Sequence, residues 1–241
     1  MRFLLLCGAI VVIAVNAPAS TRFEDPDPVG QWLRQRGMQA TTQGGTPPAG
    51  SYRVVGLAEL DAPEEVKQQL RADIERSKGV VRVAEGGIPT QAEVLAALPR
   101  TQRSASELRQ RLPQPPSRLE GSLLGPAELI GMEPSGRLDG GTSSGLSRFY
   151  RLEGVGIVEF RENSFLAAGM QIEVIAEAQN TLVNGKPAYL GRTVDGDGRT
   201  RVELAWTGGS KTYSLVVTGE PGSDVERNAR MLHDIAAAIV D

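Results

Sequence analysis

The sequence predicts an α+β fold: a C-terminal antiparallel β-sheet covered by a C-terminal helix, preceded by a smaller helix-rich region with a β-α-β unit. Three observations predict it. Between Phe149 and Val217 short apolar runs recur between Gly, Asn, Asp and Ser breakers, the pattern of antiparallel strands. Val225, Ala229, Leu232, Ala236 and Ile239 then fall on one helical face, with Ile235 beside them, which suits a helix lying on a sheet. Ahead of Ser117, helix-start boxes alternate with short strand runs.

Composition bounds the chemistry. A chain of 241 residues with 40% hydrophobic and 23% charged residues can bury a core. Its 26 Lys and Arg against 29 Asp and Glu give a net charge of −3. One His, the single Cys7 and 5% aromatics exclude a disulfide framework and a Cys/His zinc site. There is no basic face with interleaved aromatics, so no nucleic-acid partner is expected, and neither is a cofactor or a metal.

The first element is an address. Arg2 precedes an uncharged run from Phe3 to Val15, and Ala17-Pro18-Ala19 fits the small-x-small rule, so residues 1–19 read as a secretory signal peptide cut after Ala19. Cutting after Ala17 would leave Pro18, without an amide N–H, at the new terminus. The run is shorter than the roughly 20 residues of a membrane span, and no integral span is expected after processing. Leu4-Leu5-Leu6-Cys7-Gly8 resembles a lipoprotein box, but most of the apolar run follows Cys7, which places this Cys in the leader as a small hydrophobe. The expected location is periplasmic or extracellular.

Residues 20–51 read as a flexible N-terminal segment with a short helix over Val29 to Arg36 and little core. Residues 52–112 read as a small α/β region. Tyr52 to Gly56 is a strand. Asp61-Ala62-Pro63-Glu64 opens a helix to Ser77 with Asp61 as cap, and its stripe is Val66, Leu70 and Ile74. Val80 to Val83 closes a strand-helix-strand unit. Thr90 to Glu93 and Ser104 to Glu107 open two further short helices. Arg100, Arg103, Arg109, Arg111 and Arg118 form a basic stretch that reads as a solvated segment rather than an anion site. The Pro-rich residues 113–118 are the expected boundary with the domain 119–241.

In that domain, strands are expected at Phe149–Leu152, Val155–Phe160, Ala188–Val194, Val202–Trp206 and Thr212–Val217, with one sheet face buried. Phe165 to Gln179 fits either a strand or a helix. Asn184-Gly185, Asp197-Gly198 and Thr207 to Ser210 are turns, and Ser223-Asp224-Val225-Glu226 is a capping box opening the last helix.

Several strings invite chemistry. Gly141-Thr142-Ser143-Ser144-Gly145 matches the nucleophile string of serine hydrolases, with Asp195 and His233 following in chain order. An elbow of that kind needs a strand before the Ser and a helix after it. Pro134 to Gly140 precedes this one, so a flexible loop is expected, and Ser143, Asp195 and His233 stand only as the catalytic set of an alternative hydrolase reading. Asp195-Gly196-Asp197-Gly198 has no register with a Glu at the twelfth ligand position, which favours a hairpin turn over a calcium loop. Gly209-Ser210-Lys211-Thr212 runs into a strand rather than the helix a phosphate loop requires. Glu159, Glu162, Glu173 and Glu177 would furnish a glycosidase pair only if the fold brought two of them together.

Val183-Asn184-Gly185-Lys186-Pro187-Ala188, Val202 to Trp206, Thr212 to Leu215 and a closing helix ending at Ile239 resemble a known extracytoplasmic module. It is the small strand-rich domain carried outside the membrane by some bacterial anti-sigma and envelope-stress regulators. The resemblance spans about the last 60 residues and implies a noncatalytic sensory or binding domain without a cofactor. This chain departs from that family in showing neither a transmembrane anchor nor a sigma-binding segment. The expectation is an exported, noncatalytic binding or accessory protein whose partner is an envelope protein or an apolar ligand.

Overall fold

A computed structural model describes residues 10–12, 28–33, 35, 50–98, 107, 110–139 and 142–239. The strands are β1 (Ile10–Val12), β2 (Ser51–Val55), β3 (Val80–Arg82), β4 (Glu128–Asp139), β5 (Thr142–Leu152) and β6 (Gly156–Ser164). They continue as β7 (Gln171–Ile175), β8 (Thr181–Val183), β9 (Lys186–Val194), β10 (Thr200–Thr207) and β11 (Lys211–Gly219). The helices are α1 (Glu64–Ser77), α2 (Gln91–Ala97) and α3 (Val225–Ala237), with a 3-10 turn at Ala176–Ala178. The fold is mixed α+β, dominated by sheet.

The large sheet runs β3-β9-β10-β11-β6-β5-β4, and β8 pairs with β9 beside β3. Its centre follows from alternation. Val202, Leu204 and Trp206 of β10 stand opposite Val217, Leu215 and Tyr213 of β11, and all six are buried. Ala229, Leu232, Ile235 and Ala236 of α3 belong to the same apolar cluster as these strand residues. The other face of β10 is covered too. Glu203 and Ala205 are buried, and Arg201 Nη1 donates to Glu203 at 2.9 Å, so the expected wet face is closed by an ion pair.

Turn chemistry follows the sequence. Asn184 and Gly185 take φ of 49° and 75° in the β8–β9 hairpin, the two left-handed positions that Asn-Gly favours. Gly208 N donates to Lys211 O at 2.8 Å in the β10–β11 turn, and Gly198 N donates to Asp195 O at 3.0 Å in the β9–β10 turn.

The expected β-α-β unit does not form. β2 pairs in parallel with β7 in a three-stranded sheet ordered β1-β7-β2, whereas β3 pairs in parallel with β9 in the large sheet. Each short strand pairs instead with a strand more than a hundred positions away. α1 buries Val66, Leu70 and Ile74 as its spacing requires, against Val55, Leu57, Leu60 and Ile175. Trp32, within the helical residues 28–33, joins that cluster at 7% exposure, so the N-terminal segment contributes core. The ambiguous stretch resolves into β7 and the 3-10 turn. Ile172 and Val174 are buried with Phe165 on one side of β7, and Ile175 faces the α1 cluster on the other.

Two caps sit one or two residues away from expectation. Pro63, extended at φ −54° and ψ 149°, is the N-cap of α1, because the residues before it are still turning, and it makes no side-chain cap bond. At α3 the cap is Asp224, whose carboxylate accepts from Glu226 N and Arg227 N, so Ser223 and Glu226 do not form the expected box. The Thr90–Glu93 box at α2 forms in full. The Ser104 box and Arg100, Arg103 and Arg109 of the basic stretch lie outside the described residues.

Candidate functional site

The string around Ser143 is not a loop. Thr142 to Gly145 begins β5, Ser143 pairs with Leu138 of β4, and its backbone N–H donates to Arg111 O at 3.0 Å. The Ser143 hydroxyl donates to Gly145 O at 2.8 Å. Alternation along β5 puts Ser143 on the face opposite Arg148 and Tyr150, and Tyr150 belongs to the cluster that α3 covers. His233 rides on α3. Its Nε2 lies 3.2 Å from Thr181 Oγ1 of β8, on the helix-covered side. β5 is also four strand spacings from β9, roughly 19 Å across the sheet at about 4.8 Å each. Burial first, and then the Arg192 cation, hold the His233 pKa below its ordinary value.

Asp195 sits at the far end of the sheet. It follows the last residue of β9, while Ser143 aligns with the end carrying Lys211, a separation of roughly 30 Å over nine residues at about 3.3 Å each. The Asp195 carboxylate is fully committed: Oδ1 accepts from Asp197 N at 3.0 Å and Arg199 N at 2.9 Å, and Oδ2 accepts from Ile88 N and faces Arg199 Nε, both at 3.2 Å. Asp197 pairs with Arg199 and accepts from Gly86 N. A guanidinium stands where a calcium ion would have to be, and among the described residues no group of three His, Cys, Asp or Glu side chains is placed to hold a metal. The fold does not bring Ser143, Asp195 and His233 together.

The four glutamates are dispersed as well. Glu159 pairs with Arg161 at 2.5 Å on the Ser143 face, one strand position out of phase with Glu162. Glu173 lies in the small sheet, where Arg53 Nε donates to it at 2.8 Å. Glu177 accepts Leu57 N at 3.0 and 2.9 Å through its two oxygens.

Glu162 is the centre of a buried polar cluster, and its two cationic partners, Arg148 and Lys211, escape sequence reading. Its carboxylate is 3% exposed and accepts from Ser117 N, Ser117 Oγ at 2.8 Å, Arg148 Nη2 at 2.7 Å and Lys211 Nζ at 3.0 Å. Lys211 also donates to Pro115 O at 3.0 Å, and Arg148 to Ser117 O at 3.0 Å, with the Arg148 guanidinium 5.0 Å from the Phe160 ring centre. The cluster ties the Pro-rich 113–118 stretch onto β5, β6 and β11. One signal was available. Extending the alternation of Val158 and Phe160 by two residues puts Glu162 on the buried face, and a carboxylate there requires cations. Nothing in the sequence says which.

A shallow cleft opens where the C-terminal end of α3 meets the β8–β9 and β10–β11 turns. It is lined by Val183, Lys186, Trp206, Tyr213, Ala236 and Ile239. Trp206 and Tyr213 stack with centroids 5.0 Å apart and form an aromatic floor, and Asn184 Nδ2 donates to Ala237 O at 3.3 Å across one end. The aromatic pair is itself buried, so the accessible lining is mainly polar, with Asn184 and Lys186 exposed beside Ile239.

Among the described residues no helix is long and apolar enough to cross a membrane. Comparison with known proteins finds no matching family model, no matching curated protein and no matching solved structure.

Proposed function

We propose that the chain is an exported, noncatalytic binding or accessory protein of the bacterial cell envelope, processed after Ala19, that engages a partner protein or an apolar ligand. The domain that presents the binding surface is the C-terminal antiparallel sheet with the C-terminal helix lying on it, the arrangement implied by the resemblance to extracytoplasmic domains of envelope-stress regulators. One observation carries the reading. Ser143, Asp195 and Glu162 are each tied up in bonds within the fold, whereas the shallow cleft beside α3 presents Asn184, Lys186 and Ile239 over the buried Trp206–Tyr213 pair.

The test is affinity capture from envelope extract with the exported chain, set against a Lys186→Glu/Ile239→Asp variant of the cleft and a Leu123→Lys variant of exposed surface elsewhere. A species retained by the wild type and by Leu123→Lys but lost by the cleft variant supports the reading. Equal recovery by all three, or none above background, counts against it. The secreted-hydrolase alternative predicts turnover of an ester panel that vanishes in Ser143→Ala and His233→Ala. Residues on opposite faces of one sheet give no such dependence.

A further inference from the structure

We propose that the free edge of β7 is a docking site for an extended segment of a partner protein carrying β-branched apolar residues at alternate positions. The inference rests on the export reading, because the strand that occupies this edge is part of the leader. β1 pairs antiparallel with β7 in the register Ile10↔Val174, Val11↔Glu173, Val12↔Ile172. Cleavage after Ala19 removes β1. Among the described residues, β7 then keeps β2 on one side, and the edge that β1 held has no other strand on it.

That edge is a stiff template. β7 is gripped from both faces, by Phe165 against Ile172 and Val174, and by the α1 cluster against Ile175. β2 holds it through five register pairs, from Ser51↔Gln171 to Val55↔Ile175. A strand so fixed has little ordering entropy left to lose when a partner strand adds to it. The face on which alternate residues of the guest would fall is apolar, since Ile172 and Val174 of β7 cluster there with Phe165. β1 supplies the specificity. Positions opposite Val174 and Ile172 are Ile10 and Val12, so the guest should carry Ile or Val two residues apart. A one-residue slip would turn those side chains to the wrong face.

The experiment uses the exported chain as isolated, with its mass recorded, and a seven-residue Ile-Val-Val peptide flanked by lysines. Its control is the same peptide N-methylated at alternate backbone amides, which deletes strand pairing without altering the protein. With a processed chain, the plain peptide binds and the N-methylated one binds at least tenfold more weakly. A processed chain that ignores the peptide, or takes both peptides equally, overturns the docking site and leaves the export reading standing. A chain that still carries Met1 overturns both. A processed chain that is dimeric and released to monomer by the peptide assigns the edge to a second copy, which refutes the partner assignment.

Discussion

Replacing Glu162 by Ala removes the one anion that two buried cations share. Arg148 and Lys211 have side chains 11% and 9% exposed, and each keeps only neutral oxygens: Ser117 O for Arg148, Pro115 O and Ser117 Oγ for Lys211. Breaking a buried pair on one side costs about 3–5 kcal/mol, because the partner charge stays desolvated. Against a typical total stability of about 5–15 kcal/mol this is a large fraction. For a chain of this size it lowers Tm by roughly 6–20 °C. The assay is urea unfolding followed by tryptophan fluorescence, with Trp206 in the core reporting on the large sheet. Lys78→Ala is the reference, since Lys78 and Glu75 are 58% and 62% exposed and their pair contributes about 0.5 kcal/mol or less. A combined Arg148→Met, Glu162→Leu, Lys211→Met variant should recover most of the loss. If Glu162→Ala costs less than about 1 kcal/mol, the cluster is solvated and the reasoning fails.

Three further outcomes are expected. The depressed His233 pKa means that the unfolded chain takes up its proton first as pH falls through 6.5. Stability from this group is therefore complete above pH 6.5 and declines below it; subtracting the His233→Gln profile isolates that slope, and identical profiles would contradict it. Asp195→Ala strips the β9–β10 turn and Ile88 of their acceptor and leaves Arg199 with Asp197 alone, at a cost of about 3 kcal/mol in urea unfolding, while added calcium leaves the wild-type Tm unchanged. Asn184→Ala costs about 1 kcal/mol because φ of 49° is strained for Ala, whereas Asn184→Gly stays within about 0.5 kcal/mol; equal losses would count against the turn assignment.

The parts of the fold written in local pattern were legible. β10 and β11 alternate strictly enough to give strand, face and hairpin, and α3 repeats Ala229, Leu232 and Ala236 on one stripe. Cap position was less so, since Ser223 and Asp224 both cap well and only backbone geometry chooses between them. The β2–β7 and β3–β9 pairings join residues more than a hundred positions apart, and no periodicity encodes a partner strand. The β4–β5 hairpin hid for the opposite reason. Pro134, Gly136, Ser143 and Gly145 read as loop, yet Gly145 belongs there because a Cβ would strike Asn163 and Glu162 of β6. Of the site, the positions of Asp195 and His233 relative to Ser143 depend on the strand order β9-β10-β11-β6-β5, which no local string encodes. The Glu162 cluster did not announce itself, because its members are separated by 14 to 49 positions.

The measurement that bears most directly on the proposed role is the N-terminal sequence and intact mass of the chain recovered from each cellular fraction. The account predicts a protein beginning at Ser20 in the envelope or medium. A full-length chain beginning at Met1 and confined to the cytosol would contradict it.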